Sequence, residues 1–116
     1  MTETSLVRQL LGHATALGGR WFRNNVGVLI DRAGNRVAYG LCRGSSDVIG
    51  WTPVVITPEM VGRTVAVFTA FECKTGKRIT TTEQGAFVAA VCDQGGIAAV
   101  VRQVSDADAA VARGVR

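Results

Sequence analysis

Two stretches of this chain carry residues that could do chemistry together. One is Asp47, within Gly44-Ser45-Ser46-Asp47-Val48-Ile49-Gly50; the other is Glu72-Cys73-Lys74, which closes the apolar run from Val65. Successive side chains on a strand alternate faces, so Glu72 and Lys74 share one face and Cys73 takes the other. A carboxylate and an ammonium ending an apolar strand are costly to desolvate unless they have a task. An acid followed by acid-x-lysine suits phosphodiester hydrolysis, whose barrier is mostly negative charge collecting on the phosphoryl oxygens. Mg²⁺ or Mn²⁺ offsets that charge and polarises the attacking water. Such hard cations take carboxylate oxygens, with water and substrate phosphate filling the remaining positions. Asp47 and Glu72 would supply the carboxylates, and Lys74 would orient or deprotonate the water or stabilise the developing charge. Spacing alone leaves open a second reading, a surface ion pair between Glu72 and Lys74 on a half-exposed strand.

The flanking residues add a resemblance. Arg23-Asn24-Asn25-Val26-Gly27, the block from Gly40 to Trp51, Ile56-Thr57-Pro58-Glu59 and Val61-Gly62-Arg63 are followed by Phe71-Glu72-Cys73-Lys74-Thr75-Gly76. Thr82-Glu83-Gln84, Gly95-Gly96 and Val100-Val101-Arg102 complete the series. Together these resemble the VRR-NUC family of small nucleases, within the PD-(D/E)XK restriction-endonuclease-like superfamily. Ser46 departs from the proline that often precedes the aspartate, and Gln103 stands where a second arginine would be expected after Arg102. Neither change touches the carboxylates.

The resemblance implies a metal-dependent DNA endonuclease. Asp47, Glu72, Glu3 and the backbone carbonyl of Cys73 would hold Mg²⁺ or Mn²⁺, with Lys74 assisting the attacking water. Gln84 would orient water or a backbone phosphate, and Arg102 would contact a phosphate or form a structural salt bridge. Arg23, Asn24 and Asn25 become candidate contacts to the DNA backbone. Gly44 and Ser45 permit close approach of a phosphate before Asp47. The implied substrate is structured DNA, branched or duplex, such as a four-way junction. A homodimer would place two sites for paired nicks. Stand-alone members of the family are typically phage-borne, which would put this chain in the cytoplasm of a bacterial host.

The elements needed to position these residues are legible from periodicity. Leu6, Leu10, Leu11, Ala14 and Leu17 recur at helical spacing over residues 3–18, and Gly18-Gly19 stops that helix. Glu3 also suits a helix amino terminus on electrostatic grounds alone. Trp21–Arg23, Val26–Ile30 and Arg36–Gly40 read as strands, with a turn over Asp31–Asn35 between the last two. Asp47–Trp51 and Val65–Lys74 would be the central strands, and Pro58 opens a short helical turn between them. Thr80–Glu83 reads as a capping box opening a helix that runs to about Gln94. Ile97–Val101 is a short buried strand, and Ser105–Asp108 would cap a last helix ending at Gly114. The expected fold is α/β, a restriction-endonuclease-like core with a central mixed sheet flanked by helices in the order α-β-β-β-α-β.

Composition sets the outer bounds. The 116 residues suffice for one domain with a modest core. The net charge of +4, carried mostly by arginine, suits a polyanionic partner and equally suits solubility. No apolar run approaches the roughly 18–20 residues of a membrane span, and the first residues lack a secretory pattern. Cys42, Cys73 and Cys92 are widely spaced without a CxxC pair, which favours reduced thiols. His13 has no apparent acid or nucleophile partner, so histidine-based hydrolysis lacks support. Trp21, Trp51, Phe68, Phe71 and Phe87 read as core rather than base-stacking residues. Two other classes stay open: a non-catalytic nucleic-acid-binding module of the same fold, and a hydrolase of small nucleotides. The missing P-loop and GxGxxG patterns argue against the latter.

Overall fold

A computed structural model describes residues 2–114. The elements run α1 (Glu3–Ala16), β1 (Arg20–Arg23), β2 (Gly27–Ile30), β3 (Arg36–Tyr39), β4 (Val48–Trp51), a 3₁₀ turn at Pro58–Met60, β5 (Thr69–Cys73), α2 (Thr82–Asp93), β6 (Ile97–Val101) and α3 (Val104–Gly114). The α/β class is as expected. The strands, however, pair as three two-stranded sheets, β1–β4, β2–β3 and β5–β6, instead of one central mixed sheet. Two of these are antiparallel and one parallel. The chain divides into two compact units, Met1–Val54 and Val55–Arg116. Among the described residues no helix is long and apolar enough to cross a membrane.

In the first unit, α1 starts where Thr2 Oγ1 accepts the Ser5 N–H at 3.0 Å. It stops at Leu17, before Gly18 at φ +78°. The buried face of α1 is Val7 and Ala14, spaced by two turns, while Leu6 and Leu17 stay exposed. The apolar stripe is therefore rotated from the leucine series, because the small Ala14 lets the helix sit close to β1 and β4. Antiparallel β1 and β4 pair Arg20 with Trp51 and Arg23 with Val48. Gly50 is required here: a Cβ at that position would meet the Arg20 carbonyl and the Trp21 Cα. Trp51 is buried and Trp21 half-buried, with the Trp21 indole N–H donating to Thr52 Oγ1 at 3.0 Å. The β2–β3 hairpin turns on Asp31, whose carboxylate accepts the Ala33 and Asn35 N–H groups at 2.9 and 2.8 Å.

In the second unit, β5 and β6 lie parallel with Thr69 opposite Ile97 and Cys73 opposite Val101. The connection between them is α2, which packs on both strands, and α3 packs on β6. Val91, Ile97, Ala98 and Ala110 form the buried centre. Two backbone bonds extend the ladder beyond the strands: Ile97 N–H to Phe68 O at 2.9 Å and Lys74 N–H to Val101 O at 3.0 Å. Strand β5 is shorter than the Val65–Lys74 run that sequence suggests, since Val65 and Val67 are exposed and outside the ladder. Phe68 and Phe71 are half-buried and Phe87 is more open still.

Both helix starts differ from expectation, α2 by one residue and α3 by two. Thr81, not Thr80, caps α2 and pairs with Gln84 instead of Glu83. At α3 the capping acceptor is Asp106 Oδ2, which takes the Arg102 N–H at 2.8 Å and the Gln103 N–H at 3.3 Å; Ser105 is already helical.

Candidate active site

Of the four residues that the sequence reading sets together, Asp47, Glu72, Lys74 and Gln84, the last three are in direct contact. Glu72 stands on β5 and Lys74 one residue past it, on the same face. Lys74 Nζ lies 3.3 Å from Glu72 Oε1, with the lysine side chain 9% exposed and the glutamate 30%. Gln84 Nε2 donates to the same oxygen at 2.7 Å. Two donors thus converge on Glu72 Oε1, one cationic and one neutral, beside the buried lysine stem. A lysine this far from solvent is held by its partner, because removing one member of a desolvated pair strands the other charge. The Glu72–Lys74 ion pair that strand spacing also allowed is present, with the lysine buried and the glutamate half-buried. A groove of about 280 Å³ runs past Glu72 and Gln84, with Phe71, Glu83 and Phe87 also in its walls.

The order along α2 explains how Gln84 arrives there. Thr81 Oγ1 accepts the Gln84 N–H at 3.1 Å, and Gln84 Oε1 accepts the Thr81 N–H at 3.0 Å. The amide oxygen therefore faces the helix start and the amide nitrogen faces β5. Thr80-x-x-Glu83 and Thr81-x-x-Gln84 both match the capping pattern. The structure uses the second, which also brings an N–H to Glu72. That role of Thr81 was missed in sequence, although its spacing to Gln84 carried the signal.

Asp47 lies in the first unit, exposed, at the residue before β4. Its carbonyl accepts the Asn24 N–H at 2.7 Å, one step beyond the β1–β4 register. The loop before it is built around Asn24, which is 8% exposed. Asn24 Nδ2 donates to Ser45 Oγ at 2.7 Å and to Ser46 O at 2.9 Å, while Asn24 Oδ1 accepts the Leu41 N–H at 2.9 Å. Ser45 Oγ in turn donates to Cys42 O at 2.6 Å. Gly44, at φ +84°, supplies the left-handed residue of the turn closed by the Ser45 N–H on Cys42 O. The sequence reading of Asn24 as a DNA contact is corrected: its amide is buried and spent inside the protein, where with the Ser45 hydroxyl it holds the loop that carries Asp47. Arg23 and Asn25 remain on the surface, joined by an Arg23 Nε to Asn25 Oδ1 bond of 2.7 Å.

Glu3 is the exposed first residue of α1. Cys73 ends β5 with its side chain exposed. Arg102 forms no ion pair among the described residues; instead Nη1 donates to Gly76 O at 3.0 Å and Nη2 to Arg78 O. Its guanidinium fastens the loop that follows Lys74. Within either unit, among the described residues, no three His, Cys, Asp or Glu side chains gather as a metal group. The donors present are carboxylates, hard oxygens of the kind that Mg²⁺ and Mn²⁺ take.

Comparison with known proteins returns no match, neither to a family model nor to a curated protein nor to a solved structure.

Proposed function

We propose that this chain is a metal-dependent DNA endonuclease of the VRR-NUC kind, selective for branched DNA and acting as a homodimer. The observation that carries the reading is the convergence of a buried Lys74 and of Gln84 on Glu72 Oε1 at the rim of a groove. A fold gains little from an ammonium sunk to this depth beside a half-buried carboxylate, whereas charge placed this way suits stabilisation of an anionic transition state.

Within the second unit, Glu72 and the Cys73 carbonyl would be ligands to Mg²⁺ or Mn²⁺. When bound, the cation supplies charge neutralisation at the phosphoryl oxygens and acidifies a water. The chain's own residues do the rest. Lys74 sets a fixed positive charge next to the Glu72 carboxylate and orients the nucleophile. Gln84 keeps Glu72 Oε1 engaged, so that the carboxylate does not rotate. Arg23, Asn25 and the loop at Gly44 offer surface for the phosphate backbone. The +4 net charge favours a polyanion overall.

The test is cleavage of labelled four-way junction, flap, linear duplex and single-stranded DNA with Mg²⁺ or Mn²⁺. Each substrate is run beside EDTA, Asp47→Ala and Lys74→Ala controls. Metal-dependent cutting of branched DNA, lost in both variants, is the expected result. Binding of these DNAs without cutting would instead make the chain a nucleic-acid-binding module. Turnover of mononucleotides alone would make it a small-substrate hydrolase.

A further inference from the structure

A primary amide offers a donor at one end and an acceptor at the other, and a half-turn exchanges them. Which end faces a carboxylate decides whether the contact attracts or repels. At Gln84 the choice is made by the helix start: its Oε1 is occupied by the Thr81 N–H at 3.0 Å, so Nε2 is the end that reaches Glu72 Oε1 at 2.7 Å. The Thr81 hydroxyl anchors the same residue from behind by accepting the Gln84 backbone N–H at 3.1 Å. Reversing the amide would leave the Thr81 N–H without its acceptor and would bring two oxygens together at Glu72.

We propose that Thr81 is a positioning residue for Glu72, its backbone N–H setting the direction of the Gln84 amide and thereby the orientation of the carboxylate. The capping box of α2 is then more than a helix start: it is the fixed end of a polar chain running Thr81, Gln84, Glu72, Lys74. This deepens the nuclease reading and rests on it for its catalytic consequence, while the orientation itself is a property of the fold.

The backbone at Thr81 allows a direct test. Its φ of −71° lies within the range that proline imposes, so Thr81→Pro deletes the N–H and the hydroxyl with little strain. Thr81→Ser keeps both groups. Gln84→Glu keeps an acceptor for Thr81 but replaces the donor to Glu72 by a second carboxylate. In the whole chain, ¹⁵N-labelled, the Gln84 side-chain amide protons are followed by NMR in Thr81→Pro, Thr81→Ser and Glu72→Ala, and Gln84→Glu, which lacks that amide, assigns the signals by their disappearance. The expected result is a displaced, slowly exchanging amide pair in the wild type and Thr81→Ser. The pair moves to the position of a free glutamine in Thr81→Pro and in Glu72→Ala. An unchanged pair in Glu72→Ala overturns the proposal, whether or not Thr81→Pro keeps α2 folded. So does an unchanged pair in Thr81→Pro.

On the junction substrate, Thr81→Pro is expected to lower kcat on the order of tenfold, the size typical of a lost supporting contact. KM should stay within about twofold, because ground-state binding is untouched. Thr81→Ser should retain wild-type kcat. A rise in KM at constant kcat would overturn a positioning role. If the wild type cuts no DNA, the nuclease reading falls while the NMR result still decides the orientation.

Discussion

Replacing Asn24 by alanine removes three hydrogen bonds at one buried position: Nδ2 to Ser45 Oγ, Nδ2 to Ser46 O, and Oδ1 from the Leu41 N–H. Each such bond contributes about 0.5–1.5 kcal/mol net. Leu41 is 64% exposed, so its N–H regains water and belongs at the low end of that range. The two bonds made by Nδ2 are partly buried and belong nearer the middle. The sum is about 2–3 kcal/mol, a large part of the stability available to a small unit. With a urea slope of about 1 kcal/mol per molar, the midpoint should fall by about 2–3 M. Tryptophan fluorescence is the assay of choice, since both tryptophans, Trp21 and Trp51, lie in the first unit and report on it alone. Asn25→Ala is the matched control: this neighbour is exposed and bonds only Arg23 Nε, so its effect should stay within about 0.5 kcal/mol. A midpoint shift for Asn24→Ala no larger than that control would refute the reasoning, because the loop bearing Asp47 would then be held by something other than this amide.

Further outcomes follow from the same geometry. Lys74→Met should abolish metal-dependent cleavage and lower the urea midpoint of the second unit while circular dichroism still shows its helices, because methionine fills the stem volume yet leaves the half-buried Glu72 carboxylate without its cation. Gly50→Ala should prevent the first unit from folding, since the added methyl meets the backbone of Arg20 and Trp21. Gly12→Ala, in open space on α1, should instead stabilise the protein by about 0.5–1 kcal/mol in thermal unfolding. The β2–β3 hairpin should weaken in acid. The Asn35 backbone N–H, followed by the Asn35 side chain and the Ala33 and Gly34 N–H groups, lowers the Asp31 carboxyl below its ordinary value of 3.8. The stabilisation is therefore complete above 3.8 and is lost as pH falls through the lower folded value, which amide chemical shifts of Ala33 and Asn35 would follow. Retention of those shifts at a pH well below 3.8 in the wild type, matched by Asp31→Ala, would count against it. Thermolysin should cut first near Val55–Ile56, where Val54, Val55 and Ile56 are 65%, 85% and 77% exposed and no regular structure protects the backbone.

What the sequence made legible was local. Glu72 and Lys74 on one face follow from strand alternation, whereas Gln84 enters only through the family resemblance, since a capped helix start by itself reads as well as a solvent-facing amide. The short strand Ile97–Val101 and the turn at Pro58 stood out because apolar runs and proline act over a few residues. Less legible was anything decided by partners distant in the chain. Arg23-Asn24-Asn25 reads as one polar triplet, yet burial separates Asn24 from its neighbours, and only the contact with residues 41–46 reveals it. Arg102 likewise looks like a free cation until the carbonyls of Gly76 and Arg78 are beside it. The one-residue shift of the α2 cap was not legible because two overlapping motifs, Thr80-x-x-Glu83 and Thr81-x-x-Gln84, fit the sequence equally well. The leucines of α1 misled for a related reason: a helix buries the face that fits its sheet, and here small Ala14 outranks larger Leu6 and Leu17.

The contact between Gln84 and Glu72 spans 12 residues of chain, whereas the Asn24 amide reaches across 21 to Ser45 and 22 to Ser46. Closing the shorter loop sacrifices less chain entropy, and near-neighbour contacts tend to form sooner. Strand β5 and helix α2 can therefore bring Gln84 to Glu72 in a local step, ahead of the longer-range pairing of β5 with β6. Asn24 emerges from the ribosome earlier yet must wait for the forties to be made before its amide finds a partner. The polar cluster of the second unit thus closes over a shorter span of chain than the loop clasp of the first, although it is synthesised later.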